Sequence, residues 1–449
     1  MVSENIVAIA TALGASGVAV VRISGDSPLS IAEKMFKPLG KTSVGDFLPY
    51  VMYPGEIDCG DFTDFGMVVY FKGPKSFTGE DVVEIHSHGG AVIPQGVVKR
   101  ALSLGARLAG PGEFTKRAFM NGKLSLSSAE GLIDMINSQS TAGAKAGYYL
   151  YREKLTNEVT RMQALLLDAL SEIDADMDFP EEDLELDSHD KVKVIIDDVL
   201  LDIDKLMSTY RTGRVIKNGV NVGIVGKPNT GKSSLLNALM GYDKAIVSDQ
   251  AGTTRDVVEG SIDLSGVRFN FSDTAGIRES TDRIEEMGVL LSKKVLDESD
   301  LLLFVVDGTD FGTEDKDIYQ IVKDKNLLTV LNKTDKSDFN ESDLKIDVDV
   351  KVSALTHDNL EVLKNMIFDR TVGKNIDLNS DFICEERHFC ALKQAKEKLL
   401  DAKKNIDQVT LDVLSIDVLS AWQTLGEISG KTATEEIIDN IFSKFCVGK

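Results

Sequence analysis

The stretch "NVGIVGKPNTGKSSLLNALMG", residues 221–241, constrains the fold of this chain more than any other. An apolar run leads into a glycine-rich loop that fits the pattern GxxxxGK[ST], and a helix-forming run follows. Such a strand–loop–helix unit places backbone N–H groups and the N-terminus of a helix around phosphate oxygens. The stretch therefore predicts an α/β domain with a parallel sheet and a phosphate-binding loop at residues 226–233.

Two residues of this loop and two later segments predict how phosphates and magnesium are held. Lys232 is expected to reach the β- and γ-phosphates, and Ser233 to bind Mg²⁺. The segment "AGTTRD" supplies Thr254 as a second magnesium ligand. Asp273 ends an apolar strand as an acid of the Walker B type, and Gly276 in "DTAG" can donate its N–H to the γ-phosphate. The segments follow in the order that a GTP-hydrolysing enzyme requires.

The segment "LLTVLNKTD" is predicted to bind the base. Asn332 and Asp335 match the O6/N7 and N1/N2 edges of guanine, while the stem of Lys333 lies over the ring. Adenine presents the wrong groups to that carboxylate, which would be left unpaired. Ser353 and Ala354 suit a backbone donor to O6, so the predicted nucleotide is GTP. The predicted contacts are Asn229, Thr230, Gly231, Lys232, Ser233, Ser234, Ser248, Asp249, Gln250, Ala251, Gly252, Thr253, Thr254, Asp273, Thr274, Ala275, Gly276, Asn332, Lys333, Asp335, Ser353 and Ala354.

The residue after "DTAG" is Ile277, which has no polar atom to orient water, whereas Ras-type enzymes have a glutamine there. Two carboxylates further along, Glu285 and Glu286, are candidates to replace it, acting through a bridging water. A monovalent cation can take the place of an arginine finger, and the amide oxygen of Asn229 suits K⁺. The other predicted potassium ligands are the backbone carbonyls of Ser248, Gln250 and Thr253.

The pattern of apolar and polar residues changes along the chain. Its length of 449 residues favours two or three domains. Residues 1–121 contain predicted strands such as "GVAVVRIS" and "DVVEIHS" and form an α+β domain. Residues 122–213 and 374–449 have the apolar periodicity of bundle helices and flank an alternating α/β stretch at 214–373. The predicted fold class is multidomain α/β and α: an α+β N-terminal domain, a helical bundle domain and an inserted Ras-like P-loop α/β G domain.

Charge and cysteine content restrict the partners and the compartment. The net charge of -22 opposes binding of nucleic acid by bulk electrostatics, so a local patch or a partner must supply positive charge to any RNA substrate. The four cysteines form no CxxC pair, which indicates free thiols in a reducing compartment. The run "LLLFVV" is too short to cross a bilayer, and the N-terminus lacks the basic region of a secretion signal. These features predict a cytoplasmic protein without a membrane association.

Several longer motifs resemble the tRNA-modification GTPase MnmE (TrmE) family. They are "RISG", "SFTGEDVVEIHSHGG", "GPGEFTKRAFMNGKLSLSSAEGLID", "DFPEED", "GKPNTGKSSLLNAL", "AIVSDQAGTTRD", "DTAGIRES" and the terminal "FCVGK". The resemblance covers the whole chain. The G motifs occur in many GTPases, whereas the "PGEFTKRAF" stretch and the terminal Cys-x-Gly-Lys are far more specific.

The resemblance implies a homodimer with an N-terminal tetrahydrofolate-binding domain, a helical domain and an inserted G domain. It further implies joint action with an FAD-binding MnmG-type partner in a heterotetramer or larger complex. Together the two proteins would install an aminomethyl or carboxymethylaminomethyl group at C5 of the wobble uridine, position 34, of certain tRNAs. The one-carbon unit would come from a 5-formyl or 5,10-methylene folate.

Residue by residue, the resemblance implies a folate site made of Arg22, Glu84, Lys123 and Lys449. A carboxylate can accept both hydrogens of the pterin edge, and basic side chains suit the glutamate tail. Family spacing from "DTAG" favours Glu285 as the catalytic carboxylate, and Cys446 is a candidate catalytic thiol.

His86 and His88 are predicted to share a strand face with Glu84. Because no fourth ligand or cysteine is nearby in the sequence, pocket lining is favoured over a metal site.

The rival hypothesis is a regulatory GTPase, such as a switch in ribosome assembly, whose flanking domains only bind. That class usually carries a basic RNA-binding module. Residues 1–121 hold 11 Lys and Arg against 12 Asp and Glu, and no basic stripe occurs elsewhere. The sequence therefore favours the modifying enzyme.

Overall fold

The computed structural model describes residues 4–12, 14–178, 188–242, 260–273, 295–336, 346–373, 382–406 and 408–448. The chain divides into two compact units. The first comprises Met1–Ile133, Leu150–Leu201 and Ala391–Lys449, and the second comprises Asp134–Tyr149 and Asp202–Cys390. Among the described residues, no helix combines the length and the apolar run needed to span a membrane.

The first unit is built on a seven-stranded sheet in the order β3-β4-β5-β6-β2-β1-β7. Its neighbours are antiparallel except β1 and β7, which run parallel. The strands predicted from "GVAVVRIS" and "DVVEIHS" are confirmed as β2 and β6. The strands are β1 Ile6–Ile9, β2 Ala19–Gly25, β3 Phe36–Pro38, β4 Met52–Asp58, β5 Thr63–Phe71, β6 Asp81–Ser87 and β7 Arg107–Leu108.

The two faces of this sheet have different coverings because strand side chains alternate between faces. One face, including Val21, Ile23 and Ile85, packs in a core with Ala32 and Val97 of the helices α1 (Pro28–Met35) and α2 (Val92–Ser103). On the other face, Ile6 and Ala8 pack with Phe114 of α3 (Glu113–Met120) and with Phe77. Polar residues of β2 and β6 that alternate with the first core therefore face Phe77 and Phe114.

Long helices precede and follow the G domain in the sequence, which confirms the prediction of helical segments there. Helices α6 and α13 pack closely in the first unit, where Gln163 Nε2 donates to the Trp422 carbonyl at 2.9 Å. A side chain on Gly426 would lie 2.9 Å from that amide nitrogen, so a glycine there permits the close approach. The helices are α4 Leu126–Asn137, α5 Thr141–Tyr151, α6 Lys154–Asp178, α7 Ser188–Ser208, α12 Glu386–Asn405, α13 Leu411–Ser429 and α14 Glu435–Ser443.

The second unit contains a six-stranded sheet in the order β13-β12-β11-β8-β10-β9. It is parallel except for the β9–β10 hairpin, where Ser265 and Gly266 both have positive φ, as a two-residue turn of this kind requires. The predicted Ras-like α/β class is confirmed. The elements are α8 Tyr210–Asn218, β8 Val220–Val225, α9 Lys232–Tyr242, β9 Gly260–Leu264, β10 Val267–Asp273, β11 Leu301–Asp307, α10 Thr313–Val322, β12 Leu327–Asn332, β13 Val350–Lys351 and α11 Leu360–Thr371.

A cluster of three charged side chains in the second unit includes Lys217, in the last turn of the helix that precedes β8. Lys217 Nζ lies 2.8 Å from Asp134 Oδ1 and also pairs with Glu385. Burial and the neighbouring Glu385 carboxylate raise the pKa of Asp134 to about 8, although Lys217 opposes the rise. Burial disfavours the Lys217 ammonium, but the two carboxylates outweigh it and raise the pKa of that side chain. One lysine thus pairs with two carboxylates, and the pKa of Asp134 is raised because that carboxylate is buried beside Glu385.

Candidate functional sites

The loop between β8 and α9 wraps around the side chain of Lys232. Lys232 is buried, and its Nζ donates to the carbonyls of Gly226 and Lys227 at 2.9 Å each. Thr230 Oγ1 donates to the same Lys227 carbonyl at 3.1 Å. The ammonium group therefore lies across the loop, beside the N-terminus of α9, where both charge and helix dipole favour an anion.

Two glycines make this narrow loop possible. Gly226 and Gly231 have φ values of 151° and 91°. A Cβ at Gly226 would lie 2.3 Å from the Val305 carbonyl oxygen, and one at Gly231 would lie 2.4 Å from Asn332 Nδ2. Side chains larger than hydrogen are excluded at both positions. The backbone can thus approach a phosphate group closely, and the residues present fit a nucleotide phosphate chain.

Asn332 joins the predicted base-binding segments to the loop. Its Nδ2 donates to the Thr230 carbonyl at 3.0 Å, and its Oδ1 accepts from the Ala354 N–H at 3.1 Å. The Asn332 side chain is buried, with 1% of the residue exposed. Because Nδ2 carries two hydrogens, one remains for the acceptors O6 and N7 of guanine. Ser353 Oγ donates to Asp335 Oδ1 at 2.6 Å and fixes that exposed carboxylate.

Sequence reasoning missed Asp307, the last residue of β11. Its Oδ2 accepts from Lys333 Nζ at 2.6 Å, and the same ammonium donates to the Asn229 carbonyl at 2.5 Å. Burial disfavours the ionised carboxylate, but the hydrogen bonds from Lys333 and Thr309 outweigh it and lower the pKa of Asp307. The available signal was an acid ending the strand "LLLFVVD", because β11 neighbours the strand that leads into "NKTD".

A further pair ties the loop to the segment after β11. Lys227 Nζ lies 3.0 Å from Asp310 Oδ2 and 3.0 Å from Asp315 Oδ2. Asp315 is fully buried at the start of α10, whereas Asp310 is largely exposed. The phosphate-binding loop is therefore attached at Lys227 to residues that follow β11, and at Asn229 to Lys333, which follows β12.

The remaining predicted residues fall into two groups. Asn229, Ser233 and Ser234 are exposed at the loop and the first turn of α9, and Asp273 ends β10 in register with Ile224 of β8. The other predicted nucleotide and potassium residues and the catalytic carboxylate Glu285 lie outside the described residues: Ser248, Asp249, Gln250, Ala251, Gly252, Thr253, Thr254, Thr274, Ala275, Gly276 and Glu285.

On the N-terminal sheet, the register of β2 against β6 places Arg22 directly opposite Glu84. Arg22 Nε and Nη2 both lie 2.8 Å from Glu84 Oε1. The Arg22 guanidinium also lies 5.5 Å from the ring centroid of Phe77 and 5.6 Å from that of Phe114. The two aromatic rings are thus within cation–π distance of the guanidinium that pairs with Glu84.

Glu84 remains an acceptor at neutral pH. Burial works against its charge, but His86 and Arg22 more than compensate, so the pKa of Glu84 is lowered. His86 Nε2 lies 3.6 Å from Glu84 Oε2, is buried and lacks a hydrogen-bond partner among the described residues. His88 lies beyond the end of β6, and its Nδ1 instead bonds Asp64 Oδ1 at 2.7 Å. Glu84 and His86 therefore present a carboxylate and an unsatisfied ring nitrogen beside each other.

The other predicted folate residues approach the same part of the sheet. Lys123 Nζ donates to the Pro74 carbonyl at 2.7 Å, within the loop that also carries Phe77. The C-terminal tail pairs with the N-terminal domain, because Val447 forms a bridge with Pro111 and the Cys446 carbonyl accepts from the Gly112 N–H at 3.4 Å. The Cys446 thiol is free and its side chain is exposed.

The end of the tail lies against β1. A side chain on Gly448 would lie 2.1 Å from the Ile9 carbonyl oxygen. Ile9 pairs with Val21, the neighbour of Arg22 in β2. Lys449 itself lies outside the described residues. Gly448, which precedes Lys449 in the sequence, thus lies against a β1 residue whose β2 partner is adjacent to Arg22.

A glycine-rich phosphate loop on a parallel sheet, joined by the Asn332 side chain to Ala354 after β13, defines a P-loop protein of the GTPase type. Two family models match: "GTP-binding protein TrmE N-terminus" over residues 5–123 and "MnmE helical domain" over residues 126–446. The chain belongs to the tRNA modification GTPase MnmE family, and the resemblance seen in the sequence is confirmed.

Similar proteins span the full chain. A tRNA modification GTPase MnmE of Desulforamulus reducens is 40% identical over 461 residues, covering 100% of both chains. One of Natranaerobius thermophilus is 38% identical over 460 residues, again covering 100% of both. Among solved structures, a point variant of Aquifex aeolicus Era bound to GDP·AlF4⁻ is 30% identical over 40% of this chain and 66% of that chain, with a TM-score of 0.27. That score is too low to add to the assignment.

Proposed function

We propose that this chain is a potassium-activated GTPase that takes part in modification of C5 of the wobble uridine, position 34, in certain tRNAs. It acts with an FAD-binding MnmG-type partner and uses a folate one-carbon unit, giving an aminomethyl or carboxymethylaminomethyl group. Membership of the MnmE family supports the GTPase and tRNA parts of this proposal. The observation that carries the nucleotide part is the buried Lys232 lying across a loop in which two glycines keep the backbone open.

The nucleotide site is assigned to residues of the phosphate loop and of the segments that follow it along the chain. Lys232 and the loop N–H groups hold the phosphates, and Ser233 with Thr254 holds Mg²⁺, which supplies charge neutralisation when bound. Asn332 and Asp335 select guanine. The stem of Lys333 lies over the base.

The hydrolytic step is assigned to Glu285, which orients water in place of the missing glutamine. Asn229, with the carbonyls of Ser248, Gln250 and Thr253, holds K⁺, which supplies positive charge where other GTPases use an arginine finger. Glu285→Ala is expected to lower the rate of hydrolysis by about 10²–10⁴-fold while GTP affinity is retained. Hydrolysis in KCl is expected to exceed that in NaCl, since Na⁺ is too small for the ligand shell.

Steady-state hydrolysis in both salts tests this assignment for the wild type, Glu285→Ala and Asn229→Ala. Glu286→Ala is the matched control, because it removes the same group one residue further along. Equal rates in both salts would refute the potassium site. Normal turnover by Glu285→Ala would refute the role of that carboxylate.

The folate site is assigned to Arg22, Glu84, Lys123 and Lys449. The Arg22–Glu84 pair and the unsatisfied His86 nitrogen supply the polar groups that a pterin edge requires. The tail at Gly448, packed against Ile9, supports a role for the terminal lysine. Calorimetry with 5-formyltetrahydrofolate on the wild type and a Lys449 deletion is the test, and equal affinity would remove Lys449 from the site. Cys446 remains a candidate catalytic thiol near this site.

We further propose domains at 1–121, 122–213, 214–373 and 374–449, a homodimer, and a cytoplasmic location. The net charge of -22 predicts weak tRNA binding by the isolated protein and stronger binding with its flavoprotein partner, which forms a heterotetramer or larger complex with it. A gel-shift titration measures this difference. Tight, salt-sensitive binding by the isolated chain would contradict it.

Mass analysis of tRNA nucleosides from a deletion strain separates the proposal from a ribosome-assembly switch. Loss of the wobble modification is expected, with recovery on complementation by the wild type but not by Arg22→Ala. Unchanged nucleosides together with defective ribosome assembly would favour the regulatory alternative.

A further inference from the structure

Asp307 occupies a position from which it can control two parts of the nucleotide site at once. It ends β11 in register with Asn332, the last residue of β12. Neighbouring parallel strands end at the same edge of a sheet. Lys333, the residue after Asn332, therefore lies next to the Asp307 carboxylate. The pair is close, with 2.6 Å between Lys333 Nζ and Asp307 Oδ2.

Contacts other than the one with Lys333 also hold the Asp307 carboxylate in place. Its Oδ1 accepts from the Thr309 N–H at 2.9 Å and from Thr309 Oγ1 at 2.8 Å. Only 7% of the Asp307 side chain is exposed, and the second neighbouring ammonium, Lys336 Nζ, lies 3.9 Å away. A buried, pre-oriented carboxylate interacts strongly with one ammonium and restricts its rotamers.

The Lys333 ammonium also contacts the phosphate loop. Lys333 Nζ donates to the Asn229 carbonyl at 2.5 Å. Both residues joined by this bond have positive φ, 64° at Lys333 and 63° at Asn229, a conformation that side-chain-bearing residues seldom adopt. Such strain persists where surrounding contacts impose it, and it concentrates at ligand sites. The hydrogen bonds from Lys333 to Asp307 and to Asn229 join both of these residues with positive φ.

We infer that Asp307 is a positioning residue for the nucleotide: its carboxylate holds Lys333 on the Asn229 carbonyl and so couples the guanine-binding segment to the phosphate loop. This inference rests on the proposed nucleotide site. Because Asp307 acts through Lys333, which contacts the Asn229 carbonyl, its loss is expected to affect nucleotide retention more than the hydrolytic step. KM for GTP is expected to rise, while kcat at saturating GTP stays near the wild-type value.

The test is stopped-flow measurement of the dissociation of N-methylanthraniloyl-GDP from the full-length protein. Asp307→Asn keeps the shape of the side chain but removes its charge, and it is expected to speed dissociation about ten-fold. Lys333→Met is expected to have an effect of similar or larger size. The double variant should be no faster than the faster single variant, because both substitutions break the same Asp307–Lys333–Asn229 connection. Asp317→Asn, at an exposed carboxylate on α10, is the matched control and should not change the rate.

Two results would overturn the inference: a wild-type dissociation rate in Asp307→Asn, or fully additive effects in the double variant, which would mean that Asp307 acts independently of Lys333. If Asp307→Asn does not fold, Thr309→Val removes only the hydroxyl that orients the carboxylate. That variant is expected to speed dissociation about three-fold, and an unchanged rate would again overturn the inference. Absence of nucleotide binding by the wild type would instead refute the proposed site itself.

Discussion

The phosphate loop and the Arg22–Glu84 pair both present a basic side chain next to oxygen acceptors, but they bring their residues together over different distances along the chain. Lys232 donates to carbonyls five and six residues before it. Arg22 meets a carboxylate 62 residues later, and only because β2 and β6 are antiparallel neighbours in one particular register. Local geometry builds the first site, whereas the register of a sheet builds the second.

This difference affects how easily each site is disrupted. In the loop, the fixed backbone of Gly226 and Gly231 holds the acceptors in place even without a charge partner. On the sheet, Glu84 depends on Arg22 for its charge balance, because burial otherwise disfavours the carboxylate. We therefore expect loop variants to lose ligand but stay folded, and sheet variants to lose both ligand and stability.

The largest effect is expected from Lys232→Ala. Removal of the ammonium takes several charge-assisted hydrogen bonds from the phosphates, so GTP affinity should fall by at least about 100-fold. Binding of 5-formyltetrahydrofolate should be unchanged, as should the melting temperature within a few degrees. Calorimetry with both ligands measures this, with Lys323→Ala, at an exposed lysine in the same unit, as the control. A parallel loss of folate affinity would show that the two sites are not independent.

Glu84→Gln is expected to reduce folate affinity by about 10–100-fold, since an amide offers a donor where the pterin edge needs an acceptor. GTP affinity should not change. The matched control is Glu56→Gln on the same sheet, because Glu56 is about half exposed and pairs with the exposed Lys37. Unaltered folate binding by Glu84→Gln would place the pterin elsewhere.

Arg22→Ala should lower the free energy of unfolding by about 1–3 kcal/mol, because Glu84 loses its hydrogen-bonded cation in a half-buried position. The pKa of Glu84 is lowered in the folded protein, so the stability that the pair contributes is present above the unfolded value of about 4.3 and is lost as pH falls through the folded pKa. Urea denaturation at pH 7 and pH 3 measures the difference. A variant as destabilised at pH 3 as at pH 7 would contradict this account.

The smallest effect is expected at Asp134, which belongs to neither site. Its pKa is raised in the folded state, so its contribution to stability is full below about pH 4 and is lost as pH rises toward about 8. Asp134→Asn should therefore flatten the decline of the melting temperature between pH 5 and pH 8 by a few degrees. Scanning calorimetry of both proteins over this range is the measurement, and parallel curves would refute the assignment.

Prediction from sequence worked best where structure is encoded locally. The run "NVGIVGKPNTGKS" contains its own strand, turn glycines and helix start, so β8, the loop and α9 followed from it directly. The strand "LLLFVVD" could also be predicted, because a strand buried on both faces of a parallel sheet has a nearly continuous apolar sequence, and all seven of its residues are buried. The prediction that His88 shares a strand face with Glu84 was wrong, because β6 ends one residue before His88 and the His88 ring bonds Asp64 instead.

The phosphate loop, strands such as β2, β6 and β11, and the family motifs could be recognised from the sequence, because each is encoded by residues close together in the chain. Tertiary structure alone decided which distant charges meet. Asp307 reaches Lys333 and Arg22 reaches Glu84 only through strand register, and Lys217 meets Asp134 and Glu385 only through helix packing. The physical reason is that charge pairing needs atoms within about 4 Å, and separation along the sequence does not specify that distance until the sheet and the core have formed.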